Sequence, residues 1–290
     1  SYNAKIFDIP APTPENRAMI SKTFRLIATA LCAAVFALAT AHADTAKTPQ
    51  IQSQWNGKKV AYLGDSITDK CHVGTSKNYW QFLEDILGIQ PKVYGINGHS
   101  FGGVLGQAEK LKASGEEIDA IFIFPGTNHY NGSVALGEWY KYSQQQAQIN
   151  QTETKPRQRR EFAMDGTFKG RINKVMAFLK ENFPNKQIIL LTPIHRGFAN
   201  FGGSNVQPDE SFPNRIGLYV DSYVDAVKEA GNVWAVPVID LNAICGLMPN
   251  LPSHSQFFAN EKRDRLHPNA KGHERMGLAI AYQLLGYPVF

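Results

Sequence analysis

From position 58 onward, short runs rich in Val, Ile and Phe, bounded by Gly, Pro and Asn, alternate with longer stretches of helical periodicity. The runs Lys59–Leu63, Lys92–Ile96, Ile118–Phe124, Gln187–Leu191 and Val233–Ile239 read as strands, nearly continuous in apolar character as strands covered on both faces should be. Between and after them, Asn78–Leu87, Phe101–Lys112, Thr167–Asn182, Asn214–Ala230 and Ala270–Leu285 read as helices. In the third of these, Phe168, Ile172, Val175, Met176 and Leu179 recur at helical spacing and mark a core face. Strands alternating with helices predict an α/β fold: a five-stranded parallel sheet with right-handed crossovers and helices on both sides. Two stretches break the rhythm, 130–160 after the third strand and 196–213 after the fourth. Both leave the carboxyl ends of strands, where open α/β sheets bind ligands. Loops of this length in a compact domain are usually functional or disordered.

The first 57 positions follow another logic. Residues 19–43 begin at Met19, with Lys22 and Arg25 ahead of an apolar run from Leu26 to Leu38 and then Ala41-His42-Ala43. Positive start, short apolar centre and small-x-small end are the parts of a secretory signal peptide, and the run is too short to span a bilayer comfortably. The reading is therefore a secreted or periplasmic protein with no stable membrane anchor after signal removal. Residues 1–18 read as an upstream remnant or mis-called start, 44–57 as a polar linker, and 58–290 as the functional domain.

Composition limits the function classes. Hydrophobic residues make up 43% and charged residues 19%, which suits a folded domain rather than a disordered chain. The formal net charge is +5, of which residues 1–43 contribute +2 (Lys5, Arg17, Lys22 and Arg25 against Asp8 and Glu15). The remaining +3 is too mild to argue for nucleic acid, so no nucleic-acid partner is expected. The basic run Lys155, Arg157, Arg159, Arg160 reads as a solvated loop face rather than an anion-binding patch. Signal removal leaves Cys71 and Cys245, for which a disulfide and two separate thiols are both open.

Four short segments carry candidate chemistry. Gly64-Asp65-Ser66 directly follows the first strand, so that the small Gly allows a tight turn and the Ser sits exposed at the sheet edge. Its N–H lies near a helix start, where an anion is favoured. Asp264-Arg265-Leu266-His267-Pro268-Asn269 precedes the last helix. A carboxylate three residues before an imidazole can reach its Nδ1–H, fixing the tautomer and leaving Nε2 free to take a proton. Gly98 and Gly126-Thr127-Asn128 follow the second and third strands, and a Gly N–H and an Asn amide are good donors to a developing oxyanion. Each has a plain alternative when taken singly: a helix cap for Ser66, a surface pair for Asp264 and His267, turn residues for Gly98 and Asn128. Together, each following a different strand, they can converge on one sheet edge.

This order of segments resembles the SGNH, or GDSL, family of esterases and lipases. The likeness runs from about Lys58 to the C-terminus through Gly64-Asp65-Ser66-Ile67-Thr68, Asn97-Gly98-His99-Ser100, Gly126-Thr127-Asn128 and Asp264-x-x-His267-Pro268-Asn269-Ala270-x-Gly272-His273. The resemblance implies a three-layer sandwich, a flavodoxin-like SGNH hydrolase fold. It implies Ser66 as nucleophile, His267 as its base and Asp264 as the group that orients His267. It implies an oxyanion hole from the Ser66 N–H, the Gly98 N–H and the Asn128 side chain, with an acyl-enzyme intermediate and no cofactor or metal. One departure is His129, where the family usually has Asp; the loss bears on loop geometry and specificity rather than on the chemistry.

His72, His99, His129, His195 and His267 each follow a predicted strand end, but no short ligand pair suggests a metal site. His129 and His195 are candidates to line the substrate pocket, with a hydrogen-bonded loop role equally open to each. The expected substrate is a small-molecule or glycan ester, with an acetyl group on carbohydrate preferred, because the long loops are polar and aromatic (Tyr130, Trp139, Tyr140, Tyr142, Phe198, Phe201) and no long apolar lid segment is present. Two rivals stay open: a non-catalytic carbohydrate-binding protein on the same fold, and an acyltransferase using the same acyl-enzyme.

Overall fold

A computed structural model describes residues 51–150 and 153–290. The signal segment 19–43, the upstream residues 1–18 and the first half of the linker, 44–50, therefore lie outside the described residues. In chain order the strands are β1 (Lys59–Gly64), β2 (Gln90–Val93), β3 (Ala120–Phe124), β4 (Tyr140–Ile149), β5 (Glu153–Phe162), β6 (Gln187–Leu191), β7 (Ala199–Asn200), β8 (Val206–Gln207), β9 (Val238–Ile239), β10 (Phe258–Asn260) and β11 (Asp264–Pro268). The helices are α1 (Tyr79–Leu87), α2 (Phe101–Ser114), α3 (Thr127–Asn131), α4 (Phe168–Asn182), α5 (Val220–Trp234), α6 (Leu241–Ile244) and α7 (Ala270–Leu284).

The central sheet has the order β2-β1-β3-β6-β9, and every pairing in it is parallel. Strand alternation decides which layer each side chain joins. Val60, Tyr62, Phe122, Ile189 and Leu191 pack with Leu83 and Ile86 of α1 and Met276 and Ile280 of α7. Their neighbours Ala61, Leu63, Ile121, Ile123, Ile188 and Leu190 pack on the other face with Val104 of α2, Ile172 of α4 and Tyr223 of α5. Each fully buried Leu, Ile, Val or Phe contributes about 1.5–3 kcal/mol of transfer free energy, so a one-residue slip of any strand would forfeit several such contributions at once. This is the three-layer α/β sandwich expected from the sequence. The strand order reverses between β1 and β3, the switch point at whose carboxyl ends such sheets open a crevice.

Several expectations change: β2 is Gln90–Val93 rather than Lys92–Ile96, and α5 begins at Val220 rather than Asn214. The run Val233–Ile239 is not one strand: α5 continues through Trp234, and only Val238–Ile239 joins the sheet. Val233 and Trp234 are apolar because they finish the buried face of that helix. The stretch 130–160 is not a loop either. It holds the last two residues of α3 and, running on to Phe162, the antiparallel hairpin β4–β5, ten paired positions from Tyr140↔Phe162 to Ile149↔Glu153. A second small sheet, β10-β11-β7-β8, forms beside the main one and contains Asp264 and His267 in β11.

Gly64 closes β1 where no larger residue fits. A Cβ there would stand 2.8 Å from the Phe124 carbonyl oxygen and would collide with Thr68 Oγ1. The backbone oxygen cannot move without breaking β3, so Gly64→Ala is expected to destabilise the domain by about 1–3 kcal/mol. Urea unfolding of this variant beside the parent checks it, and an unchanged midpoint would contradict the close packing.

Candidate active site

Ser66 sits on a single turn that follows β1. The Thr68 and Asp69 amides both donate to the Asp65 carbonyl at 3.0 Å. The start of α1 clamps this turn from below: Asn78 Nδ2 donates to the Ile67 carbonyl (3.0 Å) and Trp80 Nε1 to the Thr68 carbonyl (3.0 Å). Ser66 is nearly buried, at 4% exposure, so its hydroxyl faces a cleft wall rather than bulk water.

Across the chain, β11 brings an imidazole to it. His267 Nε2 lies 2.9 Å from Ser66 Oγ, and His267 Nδ1 lies 2.9 Å from Asp264 Oδ2. The other carboxylate oxygen of Asp264 accepts the backbone N–H groups of Leu266 (3.1 Å) and His267 (3.0 Å). The carboxylate thus has a fixed orientation before it meets the ring. With Nδ1–H donating to Asp264, Nε2 is left as the acceptor for the Ser66 hydroxyl. The spacing of three residues works because the carboxylate folds back on its own strand end.

The two candidate oxyanion donors from other strands reach the same cleft. Ile96 to His99 make a tight turn, closed by the His99 N–H on the Ile96 carbonyl (3.1 Å), with Gly98 at φ +78°. A Cβ at Gly98 would meet nothing within 4 Å, so the positive φ alone favours glycine there. Asp69 fixes this turn by accepting the Asn97 N–H (2.7 Å) along with the Cys71 N–H (2.8 Å). Partial burial pushes the Asp69 carboxyl up, but these two donors, together with the Cys71 side chain and the nearby Lys70, leave it below its ordinary range. Asn128, on α3, donates from Nδ2 to the His99 carbonyl (2.9 Å). A cleft of about 290 Å³ is lined by Ser66, Gly98, Asn128 and His267, with Phe201, Asn205 and Gln207 on its walls. A larger groove of about 600 Å³, at Lys59, Asp119 and Lys186, includes none of the candidate residues.

Three readings that the sequence left open each fall one way in the structure. His129 does not line the cleft: it is fully buried, accepts the Phe101 N–H at Nε2 (3.2 Å) and packs against Phe168. His195 does not line it either; its Nδ1 pairs with Glu210 at 2.9 Å, and that carboxylate raises its pKa. Following a strand end puts a histidine near the rim, but the turn that comes next decides whether it points to cleft or core. Cys71 and Cys245 are both free, the first exposed beside Asp69 and the second buried in the core layer under α7. Among the described residues no group of three or more His, Cys, Asp or Glu is placed to hold a metal ion.

Several supporting residues were not singled out from the sequence. Gln107 of α2 is buried and holds both backbone groups of Gly64, accepting its N–H (2.9 Å) and donating to its carbonyl (2.8 Å). Its signal was present, as a polar residue on the apolar face of α2. Arg196 is 1% exposed and joins two walls: Nη1 donates to Thr127 Oγ1 (2.9 Å) and Nη2 to Gln207 Oε1 (2.9 Å), while its plane covers Tyr130. Burial lowers its pKa to about 10, so the guanidinium stays charged at neutral pH.

Comparison with known proteins gives the family and the fold. The model of the GDSL-like lipase/acylhydrolase family matches residues 62–275. A search of curated proteins finds none similar to the chain. Among solved structures, a protein from Lactobacillus plantarum is 24% identical with a TM-score of 0.63, over 81% of this chain and 99% of that one. A possible lipase from Chitinophaga pinensis is 20% identical with a TM-score of 0.57, over 78% and 97%. The salicylyl-acyltransferase SsfX3 of a tetracycline biosynthetic pathway is 16% identical with a TM-score of 0.51, over 80% and 56%. At these identities the structures speak to the fold.

Buried titratable groups surround the site. His129 Nε2 and His273 Nδ1 each accept the first amide of a helix, Phe101 of α2 and Tyr79 of α1. Desolvation, then the nearby Arg171 for His129 and His267 for His273, lowers both pKa values to about 3. Asp65 goes the other way: desolvation raises it to about 6 despite the Ile67 N–H it accepts. An unfolded histidine titrates near 6.5. As pH falls from about 6.5 towards 3, the unfolded chain takes up protons that these two folded imidazoles refuse, and stability is lost. Asp65 opposes this between about pH 6 and 4, because there the folded state holds its proton more tightly. His129→Gln, which keeps a neutral acceptor, should make the stability–pH slope between pH 6 and 4 shallower by about 1.4 kcal/mol per pH unit. Urea unfolding across that range measures it; an unaltered slope would mean His129 is not held neutral.

Proposed function

The chain belongs to the GDSL-like lipase/acylhydrolase family and is an ester hydrolase, and from that premise we propose that it cleaves small acyl esters through Ser66, His267 and Asp264. The observation that carries this reading is the continuous contact from Asp264 through His267 to Ser66, 2.9 Å at each step. In the proposed reaction His267 Nε2 takes the proton of Ser66 as Oγ attacks the acyl carbonyl. Asp264 holds the ring in the required tautomer and stabilises the imidazolium. The carbonyl oxygen, now an oxyanion, rests on the N–H groups of Ser66 and Gly98 and on the Asn128 amide, donors positioned in advance. His267 returns the proton to the leaving alcohol, an acyl-enzyme remains, and water activated by the same imidazole releases the acid.

The proposed substrate is an acetyl or similarly small ester on a carbohydrate. Support comes from the cleft's walls: the amides of Asn97, Asn205 and Gln207 can pair with hydroxyls, and the Phe201 ring, 5.4 Å from the His267 ring, offers a face to a sugar. A volume of about 290 Å³ suits a short acyl group with one sugar unit better than a lipid chain. The segment 19–43 supports action outside the cytoplasm, secreted or periplasmic. Among the described residues, no helix is long and apolar enough to cross a membrane.

Turnover of p-nitrophenyl acetate by the parent and by Ser66→Ala tests the chemistry. The variant should lose at least about 10³-fold in kcat, and Asn128→Ala about 10²–10³-fold with KM little changed. Equal turnover by parent and Ser66→Ala would remove the serine mechanism. Acid release from acetylated glycans, set against aryl esters of increasing chain length, tests the substrate class; a preference for long chains would overturn it.

A further inference from the structure

The positive charge of the domain is concentrated on one element. Residues 44–290 carry a net +3, and residues 140–162 alone supply +3: Lys141, Lys155, Arg157, Arg159 and Arg160 against Glu153 and Glu161. The rest of the domain is therefore neutral. These residues are the β4–β5 hairpin, whose described side chains between Lys141 and Arg160 are exposed or half-buried.

Strand pairing sorts this ribbon into two chemically different faces. Lys155, Arg157 and Arg159 alternate along β5 and so share a face, about 7 Å apart. Across from them stand Ala147, Gln145 and Ser143, with Lys141 further along. Gln145 holds Arg159 through a 2.6 Å bond from Nη1 and itself donates to Glu161, so this guanidinium is aimed along the ribbon. The opposite face carries Tyr142, Gln144, Gln158 and Gln146, an exposed ring among amides. Arg160, also on that side, lies over the Tyr140 ring at 4.5 Å near the base.

We propose that the ribbon is a docking arm for an acidic polysaccharide, its Arg157–Arg159 face meeting carboxylates or sulfates and its Tyr142–Gln144–Gln158 face meeting sugar hydroxyls. This rests on the glycan-ester reading, and extends it to a polymer that carries negative charge. The ribbon's own chemistry selects against other occupants. Tight nucleic-acid binding uses roughly 6–10 phosphate contacts, more than this arm offers with Glu161 inside its cationic row. No Phe, Trp or Leu lies between Lys141 and Glu161 to enter a membrane. Pro156 on β5 removes an amide that a second copy's strand would need.

The test uses the parent protein and Arg157→Glu/Arg159→Glu, two exposed changes away from Ser66. The probe is ester-free polygalacturonate at low salt, with a neutral glucan, duplex DNA and anionic vesicles as comparisons. The parent should bind polygalacturonate, more weakly as salt rises, and the variant should lose roughly tenfold or more. Hydrolysis of p-nitrophenyl acetate should be the same for both proteins. Because the binding polymer holds no ester, a parent with no esterase activity would sink the enzymatic reading without touching this result. Equal binding by parent and variant, or no binding by the parent, would overturn the proposal. So would duplex DNA or vesicles bound as tightly as the polyuronate, or a parent dimer that the variant cannot form.

Discussion

A hydrogen bond joins two residues 201 positions apart, Ser66 and His267, and the arrangement around it exists to keep its ends together. Neither residue is held by its own segment alone. Helix α1 clamps the Ser66 turn through Asn78 and Trp80, and its first amide donates to His273 of α7, the helix that begins just after His267. Asn269 caps α7 by accepting the amides of Lys271 and Gly272, while its Nδ2 donates to the carbonyls of Gln256 and Phe258 in the adjoining segment. The Ser66 turn and the His267 imidazole are thus tied to the same pair of packed helices. A shift of one carries the other with it, which is what a contact at 2.9 Å needs if it is to persist.

The side of the cleft that carries Gly98 and Asn128 is built by a second set of cross-ties, and they share a feature. Asp69 to Asn97, Gln107 to Gly64, Asn128 to His99, His129 to Phe101 and Arg196 to Thr127 each join a side chain to backbone atoms of a different loop. Backbone partners suit this work because they are fixed by the sheet or by a turn and have no rotamers to lose. The cost is burial of polar and charged groups, which is tolerable only where partners are present. Arg196 meets this with Thr127, Gln207 and the face of Tyr130, leaving only its Nε without a hydrogen-bond partner. His129 and His273 satisfy it by staying neutral, each at the expense of one buried ring nitrogen without a hydrogen-bond partner.

The sequence made legible the features that depend on short-range pattern. The buried strands announced themselves as apolar runs, and β6 and the start of α2 fall where periodicity set them. Ser66, Gly98, Asn128, Asp264 and His267 were readable because each follows a recognisable local segment, and they do line or support one cleft. What was not legible depends on direction. His129 follows its strand as closely as Asn128 does, but the turn of α3 points one into the cleft and the other under Phe101. The end of α5 was hidden because Val233 and Trp234 are as suitable for a strand as for a helix, and Ala235 rather than glycine takes the left-handed stop. The hairpin was hidden because its strands bury little and so carry no apolar alternation.

That last point bears on why such a hairpin can exist at all. A two-stranded ribbon in water is marginal by itself, so this one depends on its base. There Phe162 stacks on Trp234 with centroids 4.2 Å apart and on Tyr140 at 5.4 Å. Asn173 Nδ2 donates to the carbonyls of Trp139 and Ala163, one on each side of the hairpin, both at 2.9 Å. Trp139 in turn donates to Glu229 of α5. With the ends of both strands pinned to α4 and α5, the outer pairs need only tolerate the extended conformation, and their described side chains are exposed or half-buried rather than packed in the core. A polar, cationic surface is therefore compatible with this scaffold at little cost to the core. With a net charge of zero on the remainder of the domain, the domain's net positive charge of +3 equals that of this arm, which is the feature the proposed polyanion contact uses.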